Sequence, residues 1–203
     1  MTTRLLLATN NPGKRVEMQD LLQGLDFALL TPRDVGLELE VEEDGQTYAE
    51  NAARKALAFA RASGLPALAD DSGLEVDALG GQPGLHSHRF GPGMAASDAE
   101  RRAYLLSRLA GLPRPWTAHF HCTVAVALPG GEVRLADGDC PGEILPEERG
   151  AGGFGYDPVF YIPAAGQTMA ELGMAEKNRI SHRARAIQAA RPILEELMKD
   201  IAD

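Results

Sequence analysis

The chain has only two cysteines, Cys122 and Cys140, and no C-x-x-C spacing. That excludes a disulfide framework and a thiolate zinc site, and makes a reducing cytoplasm the expected compartment. No apolar run approaches the ~18 residues that a membrane span needs. The stretch Leu5 to Ala8 near the N-terminus is too short for a signal peptide. No repeat of fixed period and no low-complexity linker interrupts the chain, so residues 1–203 read as one domain, or one domain with two lobes. Basic excess is also missing: 20 Lys and Arg face 29 Asp and Glu, for a net charge of −9. A chain this acidic is a poor candidate for nonspecific binding to a nucleic-acid polymer, which runs on phosphate neutralisation by a basic surface.

What remains is ordinary soluble-protein composition, with 44% hydrophobic and 24% charged residues over 203 positions. A chain of this length buries roughly 70% of its unfolded area, enough for a proper core. Its charge is unevenly placed. Five of the seven residues from Glu38 to Asp44 are acidic, whereas Lys177, Arg179, His182, Arg183 and Arg185 form a stretch without an acid. Either these are two solvated segments, or they suit a metal-bound, polyanionic small molecule.

Leu5 to Ala8 reads as a buried strand and Phe27 to Leu30 as a second strand candidate. Between them, Lys14 onward forms a helix with Met18, Leu21, Leu22 and Leu25 on one face. Thr47 to Ser63 is the clearest helix, with Ala49, Ala52, Ala53, Ala56 and Ala60 at helical spacing and Gly64 at its C′ position. Pro66 to Ala69 is a strand ending in Asp70-Asp71-Ser72-Gly73. Ser97 and Glu100 form a capping box before a helix to about Leu109. Thr117 to Leu128 and Glu132 to Ala136 form a hairpin around Pro129-Gly130-Gly131. A last helix starts near Ser181, with Ile187, Leu194, Leu197 and Ile201 on one face and Pro192 expected to kink or interrupt it. This order predicts an α/β protein with a mixed sheet.

Two motifs are decoys. Gly150 to Gly155 matches G-x-G-x-x-G, but Pro146 to Arg149 precede it and Tyr156-Asp157-Pro158 follows, so the strand and helix of a dinucleotide site are missing. Lys14 after Gly13 lacks the first Gly and the following Ser or Thr of a P-loop. The pairs His86/His88 and His119/His121 have no third ligand at a telling distance and read as structural or surface histidines.

Thr9-Asn10-Asn11-Pro12-Gly13-Lys14 follows a strand and opens a helix. This is either a plain turn or an anion pocket aided by the helix dipole. Asp70 and Asp71 at a strand end, within reach of Glu42 and Glu43, either belong to an Asp-rich turn or bind Mg²⁺ through oxygen and take a proton from water. Phe154-Gly155-Tyr156-Asp157 offers an aromatic face and a carboxylate for a base. Lys177, His182 and Arg183 surround a donor-rich helix start. Together these parts make a magnesium–nucleotide site.

The order and spacing of T-N-N-P-G-K at 9–14, E-N-A at 50–52 with Lys55, A-D-D-S-G-L at 69–74, P-G at 83–84, G-G-F-G-Y-D-P at 152–158 and S-H-R at 181–183 resemble the inosine triphosphate pyrophosphatase family. These enzymes hydrolyse deaminated purine nucleoside triphosphates (ITP, dITP, XTP) to the monophosphate and pyrophosphate, cleansing the nucleotide pool. The resemblance implies an elongated mixed β-sheet flanked by helices, two lobes around a central cleft, and a homodimer. It also implies that Thr9, Asn10, Asn11, Pro12, Gly13, Lys14 and Lys55 hold the triphosphate and that Ser72 contacts the substrate. Glu43 and Asp71 would bind Mg²⁺, with Asp71 also the proton acceptor. Phe154, Gly155, Tyr156, Asp157, Lys177, His182 and Arg183 would hold base and sugar, with Arg183 favouring a 6-keto oxygen over adenine's amino group. His88 stands where the family usually has a small residue, and Glu42 and Asp44 are as able as Glu43 to reach a metal. A pyrophosphatase for pyrimidine nucleotides and a nucleotide-binding module without turnover are the alternative readings.

Overall fold

The computed structural model describes residues 3–93 and 96–202, and the side chains up to Leu197. The expected position of Ile201 on the last helix face therefore lies outside the described residues. The elements in chain order are β1 (Thr3–Leu7), α1 (Pro12–Leu21), β2 (Phe27–Leu30), α2 (Tyr48–Ser63), β3 (Ala67–Val76), α3 (Asp98–Leu109), β4 (Trp116–Ala127), β5 (Val133–Ile144), β6 (Phe160–Ile162), β7 (Gln167–Thr168), α4 (Met174–Ile180) and α5 (His182–Ala202). Three short 3₁₀ segments complete the path. The strands form one sheet in the order β2-β1-β3-β4-β5-β6-β7. β1 lies parallel to β2 and to β3, with Leu5 opposite Leu29 and Leu6 opposite Ala67, whereas β6 is antiparallel to β5 and β7. The sheet is mixed, as expected, because helical crossovers at the start of the chain force parallel pairing and short turns later allow antiparallel pairing.

The described chain forms two compact units. One holds the residues up to Asp71, Cys122–Gly138 and the chain from His182; the other holds Ser72–His121 and Asp139–Ser181. In the first unit the alternation of β1 decides the layering. Leu5 and Leu7 pack with Leu68, with Met18 and Leu22 around α1, and with Ile187 and Leu194 of α5. Leu6 and Ala8 face the other way, onto Ala52, Ala56, Phe59 and Ala60 of α2. A strand buried on both faces reads as a continuous apolar run, as this one does. The alanine stripe of α2 lets that helix sit close to the sheet. In the second unit one core joins Leu74 and Val76 of β3, Leu105 and Leu109 of α3, Trp116 and Phe120 of β4, and Phe160 of β6. The Phe120 and Phe160 rings lie 4.5 Å apart between centroids.

Local signals place most helix ends. Asn11 caps α1 with Pro12 just inside it, Thr47 caps α2, and Gly64 closes α2 in the left-handed conformation at φ 68°. Ser97 and Glu100 make both bonds of the capping box. Five features differ from expectation. α1, expected from Lys14 onward with Leu22 and Leu25 on its face, spans Pro12–Leu21. β3 does not end at Asp70 but runs through Asp70-Asp71-Ser72-Gly73 to Val76; both aspartates have polar partners, and Leu74-Glu75-Val76 resumes the strand alternation. β5 extends to Ile144 rather than Ala136. The short β6, β7 and α4 carry too few residues for a periodic signal. Pro192 does not interrupt α5, which continues to Ala202. Both Pro192 and Gln188, whose carbonyl loses its donor, are exposed, so water can take over that bond.

β5 meets α5 without room for a side chain. A Cβ on Gly138 would fall 2.3 Å from the backbone nitrogen of Ala186 and 2.4 Å from the carbonyl oxygen of His182. Gly138→Ala is therefore expected to lose at least about 1–3 kcal/mol through overpacking against backbone. That corresponds to a fall in Tm of roughly 2–12 °C for a chain of this size. A thermal melt with unchanged Tm would contradict this seating of α5.

Candidate active site

The β1–α1 junction is built by its own side chains. Oγ1 of Thr9, a buried residue, accepts the N–H of Asn11 at 3.2 Å. Asn11 Oδ1 accepts the N–H of Lys14 at 3.1 Å as the N-cap of α1. Thr9 and Asn11 thus shape the turn, Pro12 and Gly13 begin the helix, and the dipole of α1 points its positive end here. Asn10 is exposed, and its Nδ2 donates to the Leu39 carbonyl at 3.1 Å, which ties the turn to the acidic segment.

Lys14 reaches the end of the neighbouring strand. Its Nζ lies 3.1 Å from Oδ2 of Asp70, which is fully buried. The same oxygen accepts from Arg183 Nε at 3.1 Å and Nη2 at 2.9 Å, and Arg183 Nη1 donates to Glu17 at 2.5 Å. Burial alone would raise the Asp70 pKa; Lys14, Arg183 and Lys55 overcome it and hold the carboxyl well below the usual range. Asp70 is therefore a fixed anion that organises cations, and a poor proton acceptor. Arg183 is buried with all three of its guanidinium nitrogens on carboxylates, so the structure places it in this network. Glu17 was not singled out in the sequence; a lone acid in a helix gives no signal without its distant partner.

Asp71 behaves differently. Burial pushes its carboxyl pKa up, and the charge of Glu43 adds to that push against Lys14, an Asn51 hydrogen bond and Lys55. Asn51 is buried and bifunctional: its Nδ2 donates to Asp71 Oδ2 at 2.9 Å and its Oδ1 accepts the N–H of Gly45 at 2.8 Å. Asn51 thereby links α2, the acidic segment and Asp71, a role that the E-N-A motif marked without explaining. Lys55, one turn further along α2, forms an ion pair with Glu43 and donates to the Asp70 carbonyl at 3.0 Å. The structure separates the three candidate acids. Glu43 sits on Lys55, Asp44 pairs with Arg54, and Glu42 is exposed.

In the second unit, the glycine-rich loop folds around one carboxylate. Asp157 Oδ2 accepts the N–H of Phe154 at 2.9 Å and Lys177 Nζ at 2.6 Å. Lys177 Nζ also lies 5.2 Å from the centroid of the Phe154 ring. Tyr156 is buried, with its hydroxyl donating to the Ser87 carbonyl at 2.8 Å. Gly150, Gly153 and Gly155 all have positive φ, and the next regular element is β6, so the G-x-G-x-x-G match is a series of turns. Ser72 is half-buried in β3, and His182 is buried at the start of α5 in the first unit.

The histidine pairs go elsewhere. His119 lies 3.4 Å from Glu75, His121 lies 2.7 Å from Asp139, and His88 is exposed, so its size disturbs no core packing. No group of three or more His, Cys, Asp or Glu side chains is placed to hold a metal ion among the described residues.

Comparison with known proteins shows the family. The model of the Ham1 family matches residues 5–193. A dITP/XTP pyrophosphatase of Desulforamulus reducens is 50% identical over 96% of this chain and 96% of its own. One from Thermus thermophilus is 49% identical over 92% of this chain and 89% of its own. Among solved structures, a HAM1 protein from Coxiella burnetii superposes with a TM-score of 0.86 at 41% identity, covering 96% of this chain and 99% of the other. With the family model matched over nearly the whole chain and relatives this similar end to end, the chain belongs to the Ham1 family.

Proposed function

We propose that this protein hydrolyses deaminated purine nucleoside triphosphates (ITP, dITP and XTP) to the monophosphate and pyrophosphate, with the whole chain acting as one catalytic domain. The observation that carries this reading is the set around β3: Lys14 and Lys55 beside Asp70, next to Asp71 and Glu43. The names of the relatives support it, since those proteins are dITP/XTP pyrophosphatases.

The residues fit a magnesium ion. Glu43 and Asp71 are hard oxygen donors whose charges repel one another, and Mg²⁺ is commonly held by one or two carboxylates with substrate phosphates and water completing its shell. When bound, Mg²⁺ would neutralise phosphate charge and stabilise the departing pyrophosphate. Thr9, Asn10, Asn11, Pro12, Gly13 and Lys14 form the phosphate turn, and Lys55 adds a second cation. Asp70 holds Lys14 in place through their ion pair. Asp71, whose affinity for protons is raised by burial, takes the proton from the attacking water, and Asn51 orients its carboxylate. Phe154 presents a ring face to the base, with Gly155, Tyr156, Asp157 and Lys177 shaping that contact and Ser72, in the same unit, adding a polar one. Arg183 serves the phosphate side, through Asp70. In the same proposal the protein is a cytoplasmic homodimer. No helix among the described residues is long and apolar enough to cross a membrane.

Incubation with ITP, dUTP and ATP, with and without Mg²⁺, tests the proposal by direct detection of the released phosphate species. Metal-dependent pyrophosphate from ITP is the expected result. Stepwise orthophosphate would overturn the reaction, preference for dUTP would assign a pyrimidine substrate, and binding without turnover would leave a nucleotide-binding module.

A further inference from the structure

We propose that Asp98 and Arg102, one turn apart on α3, are positioning residues that set base selectivity by clamping the Gly155 peptide of the glycine-rich loop. The inference rests on the reading of Phe154–Asp157 as the base-recognition segment. Asp98 Oδ2 accepts the N–H of Gly155 at 2.7 Å, and Arg102 Nη1 donates to the Gly155 carbonyl at 2.8 Å. Spacing of i, i+4 puts both side chains on one face of the helix. One residue of the loop thus has its backbone donor and acceptor gripped by a single rigid element.

Both grips are themselves held. Arg101 forms an ion pair with Asp98. Glu148 pairs with Arg102: Nη2 donates to one carboxylate oxygen at 2.9 Å, and the other lies 2.9 Å from Nε, which anchors the guanidinium by charge. The loop needs such support because its backbone has little preference of its own. Gly150, Gly153 and Gly155 sit at φ 80°, 70° and 60°, a region glycine enters freely but can also leave freely. Inside the loop, Asp157 fixes the N–H of Phe154 and Lys177. Gly155 lies between them in sequence, so a shift of its peptide moves the Phe154 ring and the Asp157 carboxylate together. A displacement of about 1 Å from productive geometry is worth ~10²-fold in rate. The effect should fall on whichever substrate the loop is shaped to hold.

The experiment compares kcat/KM for ITP and ATP in Asp98→Ala, Arg102→Ala, Asp98→Asn and Phe154→Ala, each with a thermal melt and inhibition by inorganic tripolyphosphate, which has no base. Expected for both alanine variants at α3 is a roughly 10- to 100-fold loss for ITP, a fall in the ITP:ATP ratio, and unchanged tripolyphosphate inhibition. Asp98→Asn keeps an acceptor for the Gly155 N–H and should recover most of the ratio. An unchanged ITP:ATP ratio in the folded α3 variants, beside a lowered one in Phe154→Ala, would overturn the positioning role alone. An unchanged ratio in Phe154→Ala would overturn the base-recognition reading and the inference with it. Should one α3 variant fail to fold, the other decides, since each removes one of the two bonds to Gly155.

Discussion

Asp71→Asn is expected to lower the single-turnover rate of ITP hydrolysis at saturating Mg²⁺ by about 10²- to 10⁴-fold, the usual worth of a positioned general base, with weaker metal binding adding to the loss. The fold should survive. The amide is nearly the same size, and its oxygen can still accept from Asn51 Nδ2, the bond that Asp71 Oδ2 now makes. Nucleotide binding need not fall in step, because Lys14 and Lys55 are placed by Asp70 and Glu43 rather than by Asp71. Removing a carboxylate from beside phosphate oxygens even relieves repulsion. Asp70→Asn is the matching control. It removes the charge on which Lys14 and Arg183 converge, so it should depress thermal stability more than it depresses the chemical step of the folded fraction. Near-normal chemistry in folded Asp71→Asn would refute the assigned base, and a larger chemical defect at Asp70 would move that role by one residue.

Arg183→Ala should be the most destabilising single change in the first unit. Asp70 would keep Lys14 but lose both guanidinium bonds, and Glu17 would lose the ion pair made at 2.5 Å. Breaking a buried pair by removing one partner costs about 3–5 kcal/mol, a large share of the roughly 5–15 kcal/mol that holds a domain folded. Tm should fall by roughly 6–20 °C. The pH dependence follows from the direction of the Asp70 shift. A carboxyl held below its ordinary pKa contributes stability that is present at neutral pH and lost as pH falls through the acid range. Without Arg183 much of that contribution disappears, so the difference between variant and parent should be largest at neutral pH and shrink on acidification. Melts across pH check both statements. If Tm is unchanged and only ITP:ATP discrimination falls, Arg183 belongs to base recognition instead.

How much of this was legible in the chain varies with the distance over which each feature is decided. The α2 and α3 boundaries were readable because a cap joins residues three apart, Thr47 to Glu50 and Ser97 to Glu100, whereas α1 begins at Pro12 behind its Asn11 cap, two residues before the start read from the sequence. The phosphate turn, the paired aspartates and the glycine-rich loop were readable as motifs because their spacing along the chain is short. β3 was read too short, since two adjacent aspartates look like a turn until their partners are known.

The sequence by itself determined which residue types are available, where α2 and α3 begin, and that Leu5 to Ala8 is a buried strand. It did not determine the role of each charged group. Asp70 and Asp71 are neighbours of one chemical type; one becomes a locked anion and the other a carboxyl with raised proton affinity because Arg183 arrives from 113 residues away while Asn51 arrives from 20. Glu43 is distinguished from Glu42 and Asp44 only once α2 sets Lys55 and Arg54 against the acidic segment. Burial and the partners within a few ångströms set the pKa and energy of an ionisable group, and both are properties of the tertiary structure.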